Sequence, residues 1–562
     1  MDIKRTVLLV VFSLSLLMLW ENWNRYSNPP PLPSADNGAP SAATTPAASK
    51  DLSVPQQSTA ALAAPANSGD LPANAPSAAA GETVVLTTDL LKVEINTLGG
   101  DITRVELLKH QDDMETGNPV LLLQKTATRT YVAQSGLIGG DFPNHRSTFV
   151  ARDGVRSLNT GDTVQLVLES EQGSVKVTKT YTLKRGEYDI GVKHDIENRS
   201  TAAIAPSVYA QLVRDDSKLG GDSYFYSTFT GPAIYTNTDK YRKVGFEDIE
   251  KGKNPVAART PDGWVAMVQH YFVAAFAPLS KGENELFTRK LGPHLYAVGA
   301  IMPLGPLAAS SSVSHEGKFY AGPQESLMLE KFATDFDLVK DYGWLTLIAK
   351  PIFWLMTQLH LLLGNWGWTI IFLTILIKLA FFPLSAASYR SMAKMKLVTP
   401  KMTAIRERHK GDPQKMNAAM MELYKTEKIN PLGGCLPIVV QIPVFIALYW
   451  VLLASVEMRH APWLGWIHDL SAPDTLFGTV PGLDMPVGLL PIIMAVSMYV
   501  QTKLNPTPPD PIQAKVMMIM PLVFSFMFFY FPSGLVLYWV VNNILSIAQQ
   551  YLINKKLGVL GK

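Results

Sequence analysis

Apolar and polar positions change rhythm three times along this chain. Near the start, "MDIKRTVLLVVFSLSLLMLWENWNRY" places Lys4 and Arg5 ahead of an apolar run from Thr6 to Trp20, and Glu21, Asn22, Trp23 and Asn24 follow it where a small-x-small cleavage site would fall. The pattern predicts an uncleaved transmembrane anchor over 1–26, its basic end in the cytoplasm. Residues 27–81, beginning "SNPPPLPSADNGAPSAATTPAASK", are rich in Pro, Ala and Ser and read as an extended tether without a core. From Glu82 to about Phe336 the residues alternate in short runs. In "SVKVTKTYTLKRGEYDIGVKHDIEN", Val175, Val177, Lys179 and Tyr181 share one strand face and Arg185-Gly186 marks a turn. Such alternation, with Gly and Asn punctuation, predicts one large antiparallel all-β domain over 82–336.

Beyond that domain the apolar positions run together in stretches of about 16 to 22 residues, the length of repeated membrane crossings. Two of them, Trp344 to Leu363 and Trp368 to Leu384, are separated only by "GNWG". If both crossed, the basic segment after Leu384 would lie outside the cell, against the positive-inside tendency. The first, which carries Lys350, Pro351, Gln358 and His360, is therefore expected to lie along the outer interface as an amphipathic region, 337–363. Crossings follow at 364–384, 432–456, 487–503, 516–532 and 533–553, about six in all with the anchor, leaving a loop at 504–515 and a tail at 554–562. Both termini then face the cytoplasm, and the β domain lies on the other side of the membrane. Charge agrees: residues 385–431 hold ten Lys and Arg, whereas the outer loop 457–486 holds only Arg459.

The basic segment has its own helical pattern. Met392, Met395, Met402 and Ile405 form one stripe, "HKGDP" a turn, and Met416, Met420 and Leu423 a second stripe, which predicts a cytoplasmic helical hairpin over 385–431 seamed by Met. Its basic outer face is suited to ribosomal RNA or anionic lipid. The formal net charge of the whole chain, +3, gives no sign of a nucleic-acid-binding protein. The single Cys435 excludes an internal disulfide framework, so the β domain must stand on its own core. Isolated histidines such as His194 and His270 lack metal-ligand spacing, and no Walker-type phosphate loop occurs. No cofactor or metal is expected.

Candidate chemistry lies in the apolar half. A lysine within a span costs about 2.5 to 3.5 kcal/mol on insertion scales, and Lys378 lies about 9 Å from the cytoplasmic end of its run. Thr374 precedes it by one helical turn. Gln441 sits at a similar depth in the next, antiparallel run, and Tyr538, Asn542, Ser546 and Gln549 trace a polar stripe along the last. Polar residues of this kind can simply hydrogen-bond between helices, at about 0.6 to 2 kcal/mol each. No Asp or Glu stands at matching depth for Lys378, and a hydrated indentation open to the cytoplasm explains it better: a place where a polar segment of an incoming polypeptide could rest while its apolar segment enters lipid.

At these residues the chain resembles the YidC-type membrane protein insertases, in the Gram-negative form with a large periplasmic domain. The resemblance runs through "GNWGWTIIFLTILIKLAFFPLS", "SMAKMKLVTPKM", "INPLGGCLPIVVQIPVFIALYWVL", "APWLGWIHDLSAPD" and "FPSGLVLYWVVNNILSIAQQ", and covers essentially the whole length in order. It implies a polytopic α-helical membrane protein with a periplasmic β-supersandwich akin to the sugar mutarotases. It also implies insertion of nascent inner-membrane proteins through a hydrophilic groove, alone or with the Sec translocon, and contacts with ribosome or targeting machinery and with membrane lipids. Pro437, Gln441, Ile442 and Pro443 match the family's substrate-contact stretch, Tyr538 and Trp539 an aromatic pair in the last span. Lys378 stands where the family commonly has Arg; the charge is kept and the planar fork is lost. Resemblance of the β domain to mutarotases does not carry their activity, no acid–base pair is legible, and no enzyme activity is expected. A small-molecule or ion transporter would favour internal symmetry in the membrane half, and none is seen. A membrane-anchored carbohydrate enzyme would leave the further spans unexplained.

Overall fold

The computed structural model describes residues 53–56 and 81–559 except 113–116, 160, 218–227, 253–258, 279–281, 410, 428–435, 483–484 and 506–510. The expected anchor, most of the tether and Cys435 lie outside the described residues. Alternation becomes strand wherever it was read. Val175–Lys184 turns Val175, Val177, Lys179, Tyr181 and Leu183 inward and the intervening residues outward, and Gly186 closes the turn at φ 69°, a left-handed conformation that glycine adopts without strain.

Two nine-stranded antiparallel sheets result. One runs from the edge strand Thr83–Thr87 through successive neighbours to Thr130–Ile138, then on to Ser207–Asp215, Leu295–Pro303, Asn284–Gly292 and Arg259–Thr260. The other runs from Lys240–Lys243 through Gly231–Thr236, Trp264–Val268, Phe272–Pro278 and Ser312–Pro323 to Asp189–Asn198, Val175–Lys184, Thr163–Gln172 and Val150–Ala151. Residues from both sheets, among them Leu107, Leu123, Leu168, Ile190, Trp264 and Phe319, form one continuous apolar core. The short piece Ser53–Gln56 packs on the domain: the Gln211 side chain donates to the Ser53 carbonyl at 3.1 Å, and Val54 lies against Ile138, Tyr209, Phe287 and Ile301. This part of the tether is therefore docked rather than extended.

Helices are numbered here in chain order. Within the β domain lie α1 (Phe246–Glu250) and α2 (Ser326–Phe332); beyond it come α3 (Thr346–Leu363), α4 (Trp366–Ala380), α5 (Phe382–Arg408), α6 (Pro413–Thr426), α7 (Leu436–Ala454), α8 (Leu489–Leu504), α9 (Pro511–Met527) and α10 (Ser533–Lys556). "GNWG" is a two-sided cap. Gly364 ends α3 at φ 68°, and the Asn365 side chain opens α4 by accepting from the amides of Gly367 and Trp368 at 3.0 and 3.2 Å. Helix α4 stops before Leu384: the chain bends 68° at Phe381, with Pro383 in the first turn of α5, and α5 continues unbroken to Arg408. Its C-terminal half pairs with α6. Val398 and Met402 pack with Met395, Met420, Leu423 and Tyr424, which makes the Met residues the seam of the hairpin.

Among the described residues, Gly343–Leu363 is the one stretch long and apolar enough to cross a membrane as a single helix, and the bent pair α4–α5 qualifies as a second. Gln441–Ala454, Leu489–Leu504 and Ala514–Tyr530 are apolar but shorter. The stretch expected to lie flat thus has the length and composition of a span. Lys350 in its first turns pairs with Asp337 at 2.6 Å, and Leu347, Trp354, Leu361 and Leu362 are exposed along it.

The sheets and the helices are fastened at one place, where α7 ends. The buried Lys340 ammonium meets both carboxylate oxygens of Glu457 at 2.9 and 3.0 Å and lies 3.8 Å from the centre of the Phe353 ring. His270 Nε2 bonds the Leu453 carbonyl at 2.8 Å, and Arg459 donates to the Asp112 carbonyl at 2.7 Å.

Candidate functional site

Four of the polar residues singled out in the sequence, Lys378, Gln441, Asn542 and Ser546, meet where α4, α7 and α10 pack together. Lys378, in the last turn of α4, donates to Ser546 Oγ on α10 at 2.7 Å, and Ser546 in turn donates to the Asn542 carbonyl one turn earlier, also at 2.7 Å. Gln441 Nε2 on α7 donates to Asn542 Oδ1 at 2.7 Å. Asn542 and Ser546 are buried, whereas Lys378 and Gln441 are half-buried. Helical spacing explains the convergence: residues four apart on α10 lie one above the other, so the single face presented to α4 and α7 carries both groups. Beside them Ile377, Lys378, Leu384, Gln441, Val444 and Asn542 border a cavity of about 20 Å³. That is room for roughly one water molecule.

Not every named residue joins this cluster. Thr374 is buried, but its hydroxyl donates to the Ile370 carbonyl at 2.7 Å within its own helix. Tyr538 and Trp539 flank Phe445 of α7, Tyr538 stacked at 6.2 Å and Trp539 edge-on at 4.6 Å, and Trp539 also meets Phe528 at 5.4 Å. Ile442 is exposed and Pro443 half-buried inside α7, while the side chain of Pro437 lies outside the described residues.

A second polar row escaped the sequence reading. Asn543 donates to Ser497 of α8 at 3.0 Å, and Gln550 to Asn505 just past the end of α8, also at 3.0 Å. Their spacing of seven, next to the stripe already noted, was the available signal; what it lacked was any mark on α8 of which side faced α10. Gln549 makes only a long contact to the Phe382 carbonyl at 3.4 Å.

Chemically the cluster offers one cation, two amides and one hydroxyl in apolar surroundings. Among the described residues no group of His, Cys, Asp and Glu is arranged to hold a metal ion. These side chains can bind and hydrate polar groups of another molecule.

An all-β domain joined at one corner to an apolar helical bundle with a polar seam is the class of protein that fold and site define. Two family descriptions match it in tandem, "YidC periplasmic domain" over residues 83–355 and "60Kd inner membrane protein" over 358–559. The chain is 62% identical to the membrane protein insertase YidC of Janthinobacterium sp. (strain Marseille), covering 100% of both chains. It is 60% identical to that of Herminiimonas arsenicoxydans over 99% of each. The chain belongs to the YidC family of membrane protein insertases. Similarity to solved structures is lower. A crystal structure of an active YidC insertase with its first transmembrane domain resolved is 20% identical, with TM-score 0.38, covering 84% of this chain and 95% of that one. A galactose mutarotase-like protein from Lactobacillus casei is 10% identical, with TM-score 0.29, covering 43% of this chain.

Proposed function

We propose that this chain inserts nascent membrane proteins into the bacterial inner membrane and assists their folding, by way of the seam between α4, α7 and α10. The insertase function rests on identity to curated insertases along the full length of the chain. The seam's part in it rests on one observation: a cation in an apolar helix whose hydrogen-bond partner is a neutral hydroxyl, Ser546, rather than a carboxylate. A cation so placed attracts water and the polar or acidic part of a passing chain, which shortens the hydrocarbon that part must cross.

In this reading Lys378, Gln441, Asn542 and Ser546 form the hydrated floor, with Thr374 behind them. Tyr538 and Trp539 with Pro437, Ile442 and Pro443 border the path of the apolar segment. The arrangement in the membrane follows the sequence expectation: about six crossings, both termini cytoplasmic and the β domain periplasmic. The hairpin α5–α6 meets ribosome or targeting machinery, and the Sec translocon is a partner for some substrates. The test is reconstitution of the purified chain into liposomes with a dependent substrate. Lys378→Leu is expected to reduce insertion about fivefold or more while the protein stays folded, and Lys378→Arg to retain it. Full insertion by the Leu variant would remove the seam from the mechanism.

A further inference from the structure

Strands Thr130–Ile138, Ser207–Asp215, Leu295–Pro303 and Asn284–Gly292 are neighbours in the first sheet. Alternation sends Leu137, Val208, Leu286 and Ala300 into the core between the sheets and Ile138, Tyr209, Gln211, Phe287, Arg289 and Ile301 to the opposite face. On that outer face lies Ser53–Gln56, the described part of the tether.

The face meets both the backbone and the side chains of this segment. The Ser53 carbonyl accepts from Gln211 Nε2 at 3.1 Å, and the next carbonyl, that of Val54, accepts from Arg289 Nη1 at 3.3 Å. Ser53 Oγ lies 3.2 Å from Nε2 of His145, whose Nδ1 is joined to the Tyr209 hydroxyl. The Val54 side chain packs among Ile138, Tyr209, Phe287 and Ile301, and Pro55 is buried. Both donors to the segment are held by the domain itself. Gln211, fully buried, also donates to Gln134 Oε1 and accepts from Arg289 Nη2, each at 2.9 Å, and Gln134 in turn donates to Asp101 at 2.7 Å. Donors fixed in this way lose little freedom when they take a ligand. Past Pro55 the cleft runs into a cavity of about 280 Å³, bordered by Gln56, Leu137, Ile138, Gly139 and Asn144.

Two successive carbonyls, a hydroxyl and an aliphatic side chain followed by proline are features of a short peptide, and none of these contacts depends on the peptide belonging to this chain. We propose that this face of the β domain is a peptide-binding cleft that selects a hydroxyl residue, an aliphatic residue and proline in succession, with the chain's own Ser53-Val54-Pro55 as its resident occupant. A ligand joined covalently to its site acts at an effective concentration in the millimolar range, so the resident holds the cleft against free peptides of similar affinity. Another chain with this pattern binds when the resident leaves. The cleft is independent of the seam between α4, α7 and α10.

The test uses the full-length protein in detergent with a photoreactive residue at the exposed position 56. Crosslinks to residues 137–144 of the same chain are expected, and Val54→Lys, which puts an ammonium into the apolar pocket beside Arg289, should lower them about tenfold. Crosslinks to a second copy, or none to 137–144, would overturn the resident occupant without any variant of the cleft. A fluorescent peptide of residues 50–57, KDLSVPQQ, is then titrated onto both chains. It should bind the Val54→Lys chain at least about fivefold more tightly than the unaltered chain, because the resident no longer competes. The same peptide with Lys in place of its Val should bind the Val54→Lys chain at least about tenfold more weakly. Equal affinity of the first peptide for the two chains would overturn the resident occupant. Equal affinity of the two peptides, or no binding of either, would overturn the cleft.

Discussion

Three lysines show what the surroundings of a cation reveal about its use. Lys179 is fully buried in the β domain, where its ammonium donates to the carbonyls of Gly99 and Ser135 at 2.8 and 2.9 Å; burial pulls its pKa down to about 8, and Asp101 opposes that shift. Lys340 is buried against Glu457. Both are structural, satisfied by the fold. Lys378 alone of the three leans on a hydroxyl. Its place in the sequence was enough to single it out, because a cation in an apolar run is conspicuous. The sequence places Lys179 only on a strand face, since alternation gives the face and not what a lysine meets on it. Spacing alone sets Thr374 beside Lys378, whereas its hydroxyl turns back to its own helix.

Titration belongs to this scale too. Burial lowers the pKa of His110 and of His145 to about 4 from an ordinary 6.5, and holds that of His194 well below it. The unfolded chain therefore binds more protons than the folded one as pH falls from 6.5 toward 4, and the stability these neutral rings provide is lost over that window. Asp101, raised by burial to about 7 from 3.8, acts in the opposite sense, since its folded form takes up a proton first as pH falls. Three histidines against one carboxyl leave a net loss. In pulse proteolysis across a urea series, the β domain should unfold at lower urea at pH 5 than at pH 7. Asp101→Asn, which lacks the opposing contribution, should widen that gap; an unchanged or reversed gap would contradict this assignment.

At the level of elements, long patterns were legible and corners were not. The strand alternation, the polar stripe of α10 and the Met seam of the hairpin each repeat over several turns or residues, and repetition is what a single sequence carries best. The bend at Phe381 leaves no such trace: "LAFFPLS" is apolar on both sides of the break, and Pro383 is acceptable in the first turn of a new helix. Gly367 is similar. In the sequence it is part of a separator, but in the fold a Cβ at that position would clash with the Trp463 ring, so α4 and the loop that carries Trp463 touch there through the absence of a side chain. Gly367→Ala should therefore destabilise the helical part by about 1 to 3 kcal/mol, although alanine is the better helix former. A thermal unfolding shift in detergent measures it, and a neutral or stabilising effect would show that Trp463 moves freely.

For the whole molecule, the central feature is that the β core and an apolar bundle meet at the C-terminal end of α7, the helix that also carries Gln441. Sequence patterns separated the two halves and could not show this joint, because Lys340 and Glu457 are far apart in the chain and each is an ordinary charged residue. Removing the carboxylate leaves an ammonium buried without its counter-ion, a loss of about 3 to 5 kcal/mol for such pairs. Glu457→Gln is expected to loosen the joint, seen as faster hydrogen exchange at residues 337–345 and 453–459 with the sheets unchanged; exchange that stays slow would mean the remaining contacts hold it. The proposed function requires the seam between α4, α7 and α10 to be the path of the substrate. Site-specific photocrosslinking from positions 378, 441 and 538 to a stalled nascent membrane protein, in native vesicles shown to insert that protein, tests it most directly. Crosslinks from all three positions are predicted. Silence from all three would mean that the polar seam only holds helices together and that the substrate passes elsewhere.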